Sequence, residues 1–341
     1  MFPASRKITT AAAVRDLRTG SPKSKTLAAH ALGDVGADDR EAARTALVAA
    51  LDDDRAEVRA EAAASLGNLE AGGVDPDDAA VTAALVYRLD DGHPQVRQNA
   101  AIALGTLRHP AGFTALAQAL RGGPVDLRFQ AATSLCEIDP IAAFDPLLVA
   151  LGDSDAQVVA AVALSLGATG DGRAAAHLAR LLDHGDAAVR FDAAYALAQL
   201  GDRRARAQLV GALGDRERTW DAIGALEDLA DPGAIGALAT VLANQKLAPE
   251  LPVRAAAAIL ALAPVTDADS LHVRAARATL THALAHRKLP VRGLAIEQLG
   301  RVGGPWAVVA LEDLDRRWRG RDLRPAIADA LAAIGTRGEP A

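Results

Sequence analysis

A ten-residue segment of the form V-R-x-x-A-A-x-A-L-G recurs along this 341-residue chain, and no other feature constrains its fold as strongly. The copies occupy residues 24–33, 58–67, 96–105, 127–136, 158–167, 189–198, 218–227, 253–262, 291–300 and 323–332. Successive copies start 29 to 38 residues apart, and those at 24, 218 and 253 match the form less closely. Repeats of this length are typical of solenoids and related arrays, in which each unit stacks on its neighbours.

Each copy has the periodicity of a helix. When its positions are numbered from zero, apolar residues at positions zero, four, five and eight fall on one helical stripe. A second helical pattern lies between copies, as in residues 40–51, 111–120 and 173–182. Asp54, Asp155 and Asp186 stand in the intervening turns, where an aspartate can cap the following helix. The sequence therefore predicts helical hairpins that must stack, because neither helix can bury its stripe alone.

Small side chains explain how such helices can stack with few aromatic residues. Half of the residues are apolar but only 3% are aromatic, so alanine, leucine and valine supply most of the core. Alanine lets neighbouring helices approach to about 8 Å between axes. The same composition, with a net charge of −6, excludes a disordered chain. We predict an all-α protein, a single α-solenoid over residues 1–341.

The motif and its step near 31 residues resemble the short HEAT-like repeats of the phycobilisome-lyase type, over residues 14–335. The resemblance implies a right-handed superhelix of about ten stacked antiparallel helix pairs, with the V-R helices lining its concave side. Repeats of this type serve adaptors, regulatory scaffolds, chromophore lyases and a few enzymes, so the resemblance implies an architecture rather than one function. Departures from the motif at Val159, Thr219 and Ala261 predict local irregularity.

Three stretches are expected to differ from the regular repeats. We predict an N-terminal cap region at residues 1–23, a C-terminal cap at 315–341, and irregular connections that could bend the array at 244–270. No apolar run is long enough to cross a membrane, and the N-terminus lacks the apolar region of a secretory signal. With a single cysteine, the chain fits a reducing compartment. We predict a cytoplasmic protein that does not contact membranes.

Position one is Arg or Lys in eight of the ten copies. We predict that these side chains bridge to turn aspartates of their own or the neighbouring repeat, which would make a structural ladder; an anion-binding ladder is the alternative. The arginines assigned to this ladder are Arg59, Arg97, Arg128, Arg190, Arg254, Arg292 and Arg324. Because surface ion pairs contribute only ~0–1 kcal/mol each, alignment of the repeats is their expected role.

No pattern in the sequence predicts catalysis or metal binding. His282 and His286 stand four residues apart on a predicted helix, but a zinc site needs three or four ligands and nothing nearby completes the set. We interpret them as two solvated histidines, and Cys136 as a buried, inert thiol. We therefore expect no catalytic residue, no metal and no cofactor.

Aromatic side chains mark the best candidate for a binding site. Positions two, three and six of the V-R helix should point away from the core stripe and towards the concave face. The residues predicted to bind a partner there are Asn99, Phe129, Gln130, Phe191, Asp192, Tyr195, Trp220 and Asp221. Aromatic groups among polar ones are typical of binding hot spots. This pattern predicts a non-enzymatic scaffold that binds another protein with a basic or mixed-charge surface; the alternative is that these aromatics pack against the adjacent helix.

Two other functions are consistent with the sequence. One is a bilin-handling protein similar to the chromophore lyases, which would use the same concavity. The other is a nucleic-acid module that would grip phosphates through the arginine-rich segment between Arg316 and Arg324, which also contains Trp318. Because the whole chain is acidic and terminal repeats need polar outer faces, we interpret that segment as a polar cap and do not expect nucleic-acid binding.

Overall fold

The computed structural model describes residues 8–70, 79–244, 246–267, 270–316 and 322–338. Within these residues the chain forms twenty α-helices, six short 3₁₀ turns and no strand. This confirms the predicted all-α solenoid. All ten copies of the repeated segment lie in the even-numbered helices, so each hairpin consists of an odd-numbered helix followed by an even-numbered one.

The chain divides into two compact units, Met1–His177 and Leu178–Ala341. The odd-numbered helices of the first unit are α1 (Thr10–Thr19), α3 (Arg40–Ala50), α5 (Ala79–Arg88), α7 (Pro110–Gly122) and α9 (Pro140–Ala150). Its even-numbered helices are α2 (Pro22–Leu32), α4 (Ala56–Glu70), α6 (Pro94–Leu107), α8 (Val125–Ile138) and α10 (Ala156–Ala168).

The short helix α11 (Ala175–Arg180) contains the boundary between the units. The other odd-numbered helices of the second unit are α13 (Arg206–Ala212), α15 (Ile235–Ala243), α17 (Leu271–Ala283) and α19 (Pro305–Arg316). Its even-numbered helices are α12 (Ala187–Gln199), α14 (Thr219–Asp228), α16 (Glu250–Leu262), α18 (Leu289–Val302) and α20 (Arg324–Gly338). The 3₁₀ turns are Ala37–Asp39, Gly172–Ala174, Leu181–Asp183, Arg203–Ala205, Pro232–Ala234 and Val265–Asp267.

In each unit the helices pack in two layers. Consecutive even-numbered helices contact one another, from α2 to α10 in the first unit and from α12 to α20 in the second. Each also packs on an odd-numbered helix or 3₁₀ turn of its own hairpin. The core includes the predicted stripe: Leu66, Leu104 and Leu135, all at position eight, are buried, as are the alanines that precede them at positions four and five. Removing this apolar surface from water drives the stacking.

Position nine is where consecutive even-numbered helices approach most closely. A Cβ atom added to Gly67 would lie 3.1 Å from the Cα atom of Ala103 on α6, so a side chain there would push the two helices slightly apart. Cys136 occupies the same position on α8, and its Sγ atom donates to the carbonyl oxygen of Ser165 at 3.6 Å. The glycine of the motif therefore sets the spacing of the stack.

Turn aspartates cap the helices that follow them. Asp155 accepts hydrogen bonds from the backbone N–H groups of α10, and Asp186 does so at the start of α12, which confirms both predicted caps. Before α4 the structure differs from the prediction at Asp54, because α4 begins at Ala56 and Arg55, which has no capping carboxylate, directly precedes it.

The predicted terminal caps and the bend at 244–270 remain predictions. The described part of that stretch contains the whole of α16 and one 3₁₀ turn. Among the described helices, none combines the length and the apolar character that crossing a lipid bilayer requires.

Candidate protein-binding surfaces on the even-numbered helices

In the first unit, basic side chains at position one connect consecutive repeats. The guanidinium of Arg59 donates to both carboxylate oxygens of Asp91 at 2.8 Å and also to the carbonyl oxygen of Asp53 at 2.9 Å. Each such arginine thereby joins the turn before its own helix to the turn of the next repeat. The equivalent ion pairs are Lys25–Asp53 (2.6 Å), Arg97–Asp126 (2.9 Å) and Arg128–Asp153 (2.7 Å).

These ion pairs fix the charge of the turn aspartates. The hydrogen bond from Arg59 lowers the pKa of Asp91, and the one from Arg128 lowers the pKa of Asp153. Both carboxylates are almost fully shielded from solvent. Because the pairs are only partly solvated, salt screens them less than it would an exposed pair.

In the second unit, the arginines at position one have different partners. Arg190 and Arg292 donate to the carbonyl oxygens of His184 and His286, at 2.7 and 3.0 Å, and form no ion pair with a described carboxylate. Arg254 stacks on an aromatic ring of the preceding repeat, and it too lacks an ion pair within the described residues. Within the described residues, the expected bridge to a turn aspartate is thus absent at these three positions.

Three residues of the predicted site lie in the first unit. Phe129 is 41% exposed on α8, as expected for position two. The side-chain amide of Asn99 donates to the carbonyl oxygen of Ala60 on α4 at 2.8 Å. Gln130 donates to the hydroxyl of Thr133, one turn further along α8, at 3.1 Å. Two of the three polar or aromatic groups therefore already have partners within the unit, and Phe129 is the side chain that remains available.

Phe191, on α12 in the second unit, differs from the expectation of an exposed ring. It is buried, with 9% of its surface exposed, because Arg218 of the next repeat covers it. The guanidinium carbon of Arg218 lies 5.3 Å from the ring centroid, and its Nη1 atom donates to the carbonyl oxygen of Ala187 at 3.2 Å. Such cation–π contacts contribute about 0.5–2 kcal/mol. Phe191 is therefore packed beneath the surface and is not an exposed side chain that a partner could contact directly.

Trp220 remains accessible on α14. It is 38% exposed, and the guanidinium carbon of Arg254 lies 4.5 Å from its ring centroid. Tyr195 is half-buried on α12, and Asp221 is exposed beside Trp220. The second unit thus presents an aromatic ring, a stacked guanidinium and an exposed carboxylate on one element, α14, and its neighbour α16.

Burial changes the ionisation of two acidic groups on this face. Loss of solvent raises the pKa of Asp192 to about 6, the charge of Arg218 opposes that rise, and Asp186 and Asp221 add to it. Asp228 is exposed, but partial loss of solvent and the charge of the neighbouring Glu227 raise its pKa, against the opposing charge of Arg254. A cationic group from a partner would restore the stabilisation that the carboxylates lose on burial.

The arginines that cover Phe191 and Trp220 were not part of the predicted binding site. Arg218 occupies position zero, where most other copies have Val or Leu, and this exception was the available sequence signal. Arg254 was assigned to the ladder because it stands at position one. The orientation of the Arg254 side chain depends on which residues form the turn of the next repeat, and the motif that contains Arg254 carries no information about that turn.

The described residues contain no group of three His, Cys, Asp or Glu side chains arranged as metal ligands. His282 is exposed and His286 is half-buried at the end of α17 and in the turn after it. Of the arginine-rich segment, residues 317–321 lie outside the described part of the chain. Arg316 is exposed, and Arg324 lies 3.4 Å from Asp315 across a pair that is largely solvated.

Comparison with known proteins identifies the repeat. A family model described as HEAT repeats matches residues 45–135, 113–198 and 146–230, which together span more than half of the chain. No curated protein sequence matches it. The chain is similar to the complex of CpcE and CpcF of phycocyanin lyase from Nostoc sp. PCC7120, with 25% identity over 69% of this chain and 92% of that chain, and a TM-score of 0.47.

Two other solved structures are similar. For YibA of Escherichia coli the identity is 22%, over 64% of this chain and 81% of that one, with a TM-score of 0.45. A chain in the structure of Kap95p with RanGDP is 12% identical, over 98% of this chain and 53% of that one, with a TM-score of 0.56. This last similarity concerns the fold alone, and it extends over nearly the whole length of the present chain.

Proposed function

The chain belongs to the HEAT-repeat family, and from this premise we propose that it is a non-enzymatic scaffold that binds a protein partner through its even-numbered helices. Solenoids of this class present extended surfaces for binding. The observation that supports the proposal most directly is the exposed ring of Trp220, stacked with Arg254 and adjacent to the carboxylate of Asp221. Tryptophan and arginine are enriched among residues that dominate binding energies.

The geometry around Trp220 supports a rigid anchor rather than a mobile surface group. Arg254 covers one side of the ring, so part of the side-chain entropy has been lost before a partner arrives. The buried Phe191 and its covering Arg218 hold the adjacent helix in place. A partner that covers the accessible part of the indole would therefore gain apolar contact at a reduced entropic cost.

The charges favour a partner segment that is basic or of mixed charge. Asp221 and Asp228 are exposed on α14, and the carboxyl of Asp192 is half-buried on α12. A lysine or arginine of the partner would pair with these groups, and an apolar side chain beside it would contact Trp220. Charge pairs at such a surface contribute more to specificity and association rate than to affinity.

The proposal is tested first by locating the partner. A photo-crosslinking amino acid introduced at position 221 in the cell should capture a protein, whereas the same group at position 87, on α5 of the first unit, should not capture it. Purified partner is then titrated into the full chain. We expect Trp220→Ala to weaken binding at least tenfold, equivalent to about 1.4 kcal/mol, and Tyr87→Ala, which removes a ring that is 71% exposed, to leave it unchanged.

Three outcomes would contradict the proposal. Equal affinity of the wild type and the Trp220→Ala variant would remove the proposed surface. Capture of a protein at position 87 but not at position 221 would show that the partner binds a different surface of the chain. Retention of an added bilin by the purified chain, with visible absorbance that Trp220→Ala abolishes, would replace the scaffold by a chromophore-handling role.

A further inference from the structure

The turn before α18 has a histidine where several other repeats have an aspartate. Asp53 and Asp91 stand six residues before the arginine at position one, and an Oδ1 atom of each accepts from the N–H two residues later. His286 stands at the same place relative to Arg292, and its Nδ1 atom accepts from the N–H of Lys288 at 3.2 Å. The histidine thus keeps the hydrogen bond of the turn but removes the carboxylate.

Loss of that carboxylate accounts for the orientation of Arg254. In the first unit, an aspartate at this place pairs with the arginine of the preceding repeat, as Asp91 does with Arg59. The arginine of the repeat that precedes His286 is Arg254. It stacks on Trp220 instead of pairing with a carboxylate, and its buried Nε atom has no hydrogen bond. The arginine therefore does not bridge the two turns as its counterparts in the first unit do.

A cavity of about 690 Å³ lies in this part of the second unit, among α15, α16, α17 and the start of α18. Its walls are mainly aliphatic and include Leu242, Leu247, Pro252 and Val291. The polar residues of the lining are Asn244, Thr279, His282 and His286. Cavities of about 300–1,000 Å³ with aliphatic walls and a few polar groups are typical binding sites for small molecules.

The polar groups of the cavity can donate hydrogen bonds. Because Nδ1 of His286 accepts from the backbone, Nε2 carries the hydrogen of the neutral ring. The Oδ1 atom of Asn244 accepts from the N–H of Lys246 at 3.1 Å, which leaves its amide nitrogen as a donor. Two donors of this kind suit an acceptor group such as a carboxylate.

The net charge of the segment that surrounds the cavity also favours binding of an anion. Residues 271–296, which comprise α17 and the first half of α18, contain five arginine or lysine residues and no aspartate or glutamate. In a chain with a net charge of −6, this segment is a local source of positive potential. An anion is therefore favoured here, and a cation is not.

We propose that this cavity binds a small aliphatic carboxylate. Its chain lies against the leucine, proline and valine walls, and its carboxylate accepts hydrogen bonds from His286 and Asn244. The site is separate in its residues from the proposed partner surface, so either proposal can fail without the other.

The first test compares ligands of one chain length on the full protein. Octanoate, octanol and octylammonium are titrated separately and followed by calorimetry and by NMR shifts of the α17 and α18 amides. We expect octanoate to bind at least tenfold more tightly than octanol, and octylammonium not to bind. Equal binding of octanoate and octanol would overturn the assignment of a carboxylate site, and no binding of either would overturn the site itself.

Two variants locate the site. His286→Asp restores the residue found at this place in other repeats, and it should abolish octanoate binding while the protein keeps its helicity. Ala278→Phe places a ring at a lining position and should reduce octanoate affinity at least tenfold. Ala275→Phe makes the same change at an exposed position of α17 outside the lining, and should leave affinity unchanged. Wild-type affinity in both His286→Asp and Ala278→Phe would overturn the proposal.

Discussion

Two aspartates of one helix, Asp186 and Asp192, have opposite effects on stability, because hydrogen bonds lower the pKa of the first and burial raises the pKa of the second. Asp192 has a pKa raised to about 6 by burial, so the folded protein retains a proton that the unfolded chain loses near pH 4. The free energy of unfolding therefore falls as the pH rises from about 4 to about 6, and stays lower above that range. We expect Asp192→Asn to be more stable than the wild type at pH 7 by roughly 1–2 kcal/mol, after allowance for partial exposure. Urea unfolding across pH 4–8 measures the difference, which should vanish near pH 4.

Asp186 provides the matched control for this experiment. Its hydrogen bonds from the N–H groups of Ala188 and Val189 lower its pKa, so its contribution is present above the pKa of the unfolded chain and is lost as the pH falls. Asp186→Ala should therefore be less stable than the wild type at pH 7, and the difference should shrink in acid. If both variants were more stable than the wild type at pH 7, or both less stable, this account would be contradicted.

Single residues also show where the sequence was insufficient for predicting the candidate site. The register of the motif placed Trp220 and Phe129 correctly as exposed side chains. It did not predict that Arg218 covers Phe191, because that contact joins two repeats and depends on a departure at position zero. Whether the predicted residues bind a partner is still a prediction, which the crosslinking experiment addresses.

For the helices, the pattern of small residues decides how closely they pack. On α18, a Cβ atom at Gly300 would lie 3.0 Å from the Cα atom of Ala330 on α20, whereas one at Gly293 would have no atom within 4 Å. We expect Gly293→Ala to raise the free energy of unfolding by about 0.5–1 kcal/mol, because alanine favours the helix. We expect Gly300→Ala to lower it by about 1–3 kcal/mol, because the crowding exceeds that gain. Thermal and urea unfolding of the two variants provide the measurement, and a gain from both would show that α20 can move away without cost.

The helices themselves were predictable to the extent that they follow the motif. The even-numbered helices all contain a copy, because the stripe at positions zero, four, five and eight is local in sequence. The pattern at residues 173–182 predicted one helix, but the chain there forms a 3₁₀ turn at Gly172–Ala174, the short α11, and a second 3₁₀ turn at Leu181–Asp183. A positive φ of 70° at Gly170 and the cap by Asp171 determine where this segment begins, and periodicity alone does not report either.

Over the whole chain, stability should be local, because each repeat contacts mainly its neighbours. The ion pair between Arg59 and Asp91 joins the second and third repeats, and Asp91→Asn leaves the guanidinium without its charged partner. We expect a loss of about 1–2 kcal/mol. Hydrogen exchange should then accelerate about 5- to 30-fold in α4 and α6, with smaller changes in α2 and α8.

The second unit should keep its wild-type exchange rates in the same variant, because the altered ion pair lies within the first unit and each repeat is coupled mainly to its neighbours. Asp90→Asn is the matched control: it alters an adjacent, exposed carboxylate and should leave all rates unchanged. Hydrogen exchange followed by mass spectrometry resolves each helix separately. If exchange accelerated equally in α4, α6 and the helices from α12 to α20, the chain would unfold as one cooperative body. The additive picture, in which each repeat contributes its own stability and the interface with the next, would then not apply to this solenoid.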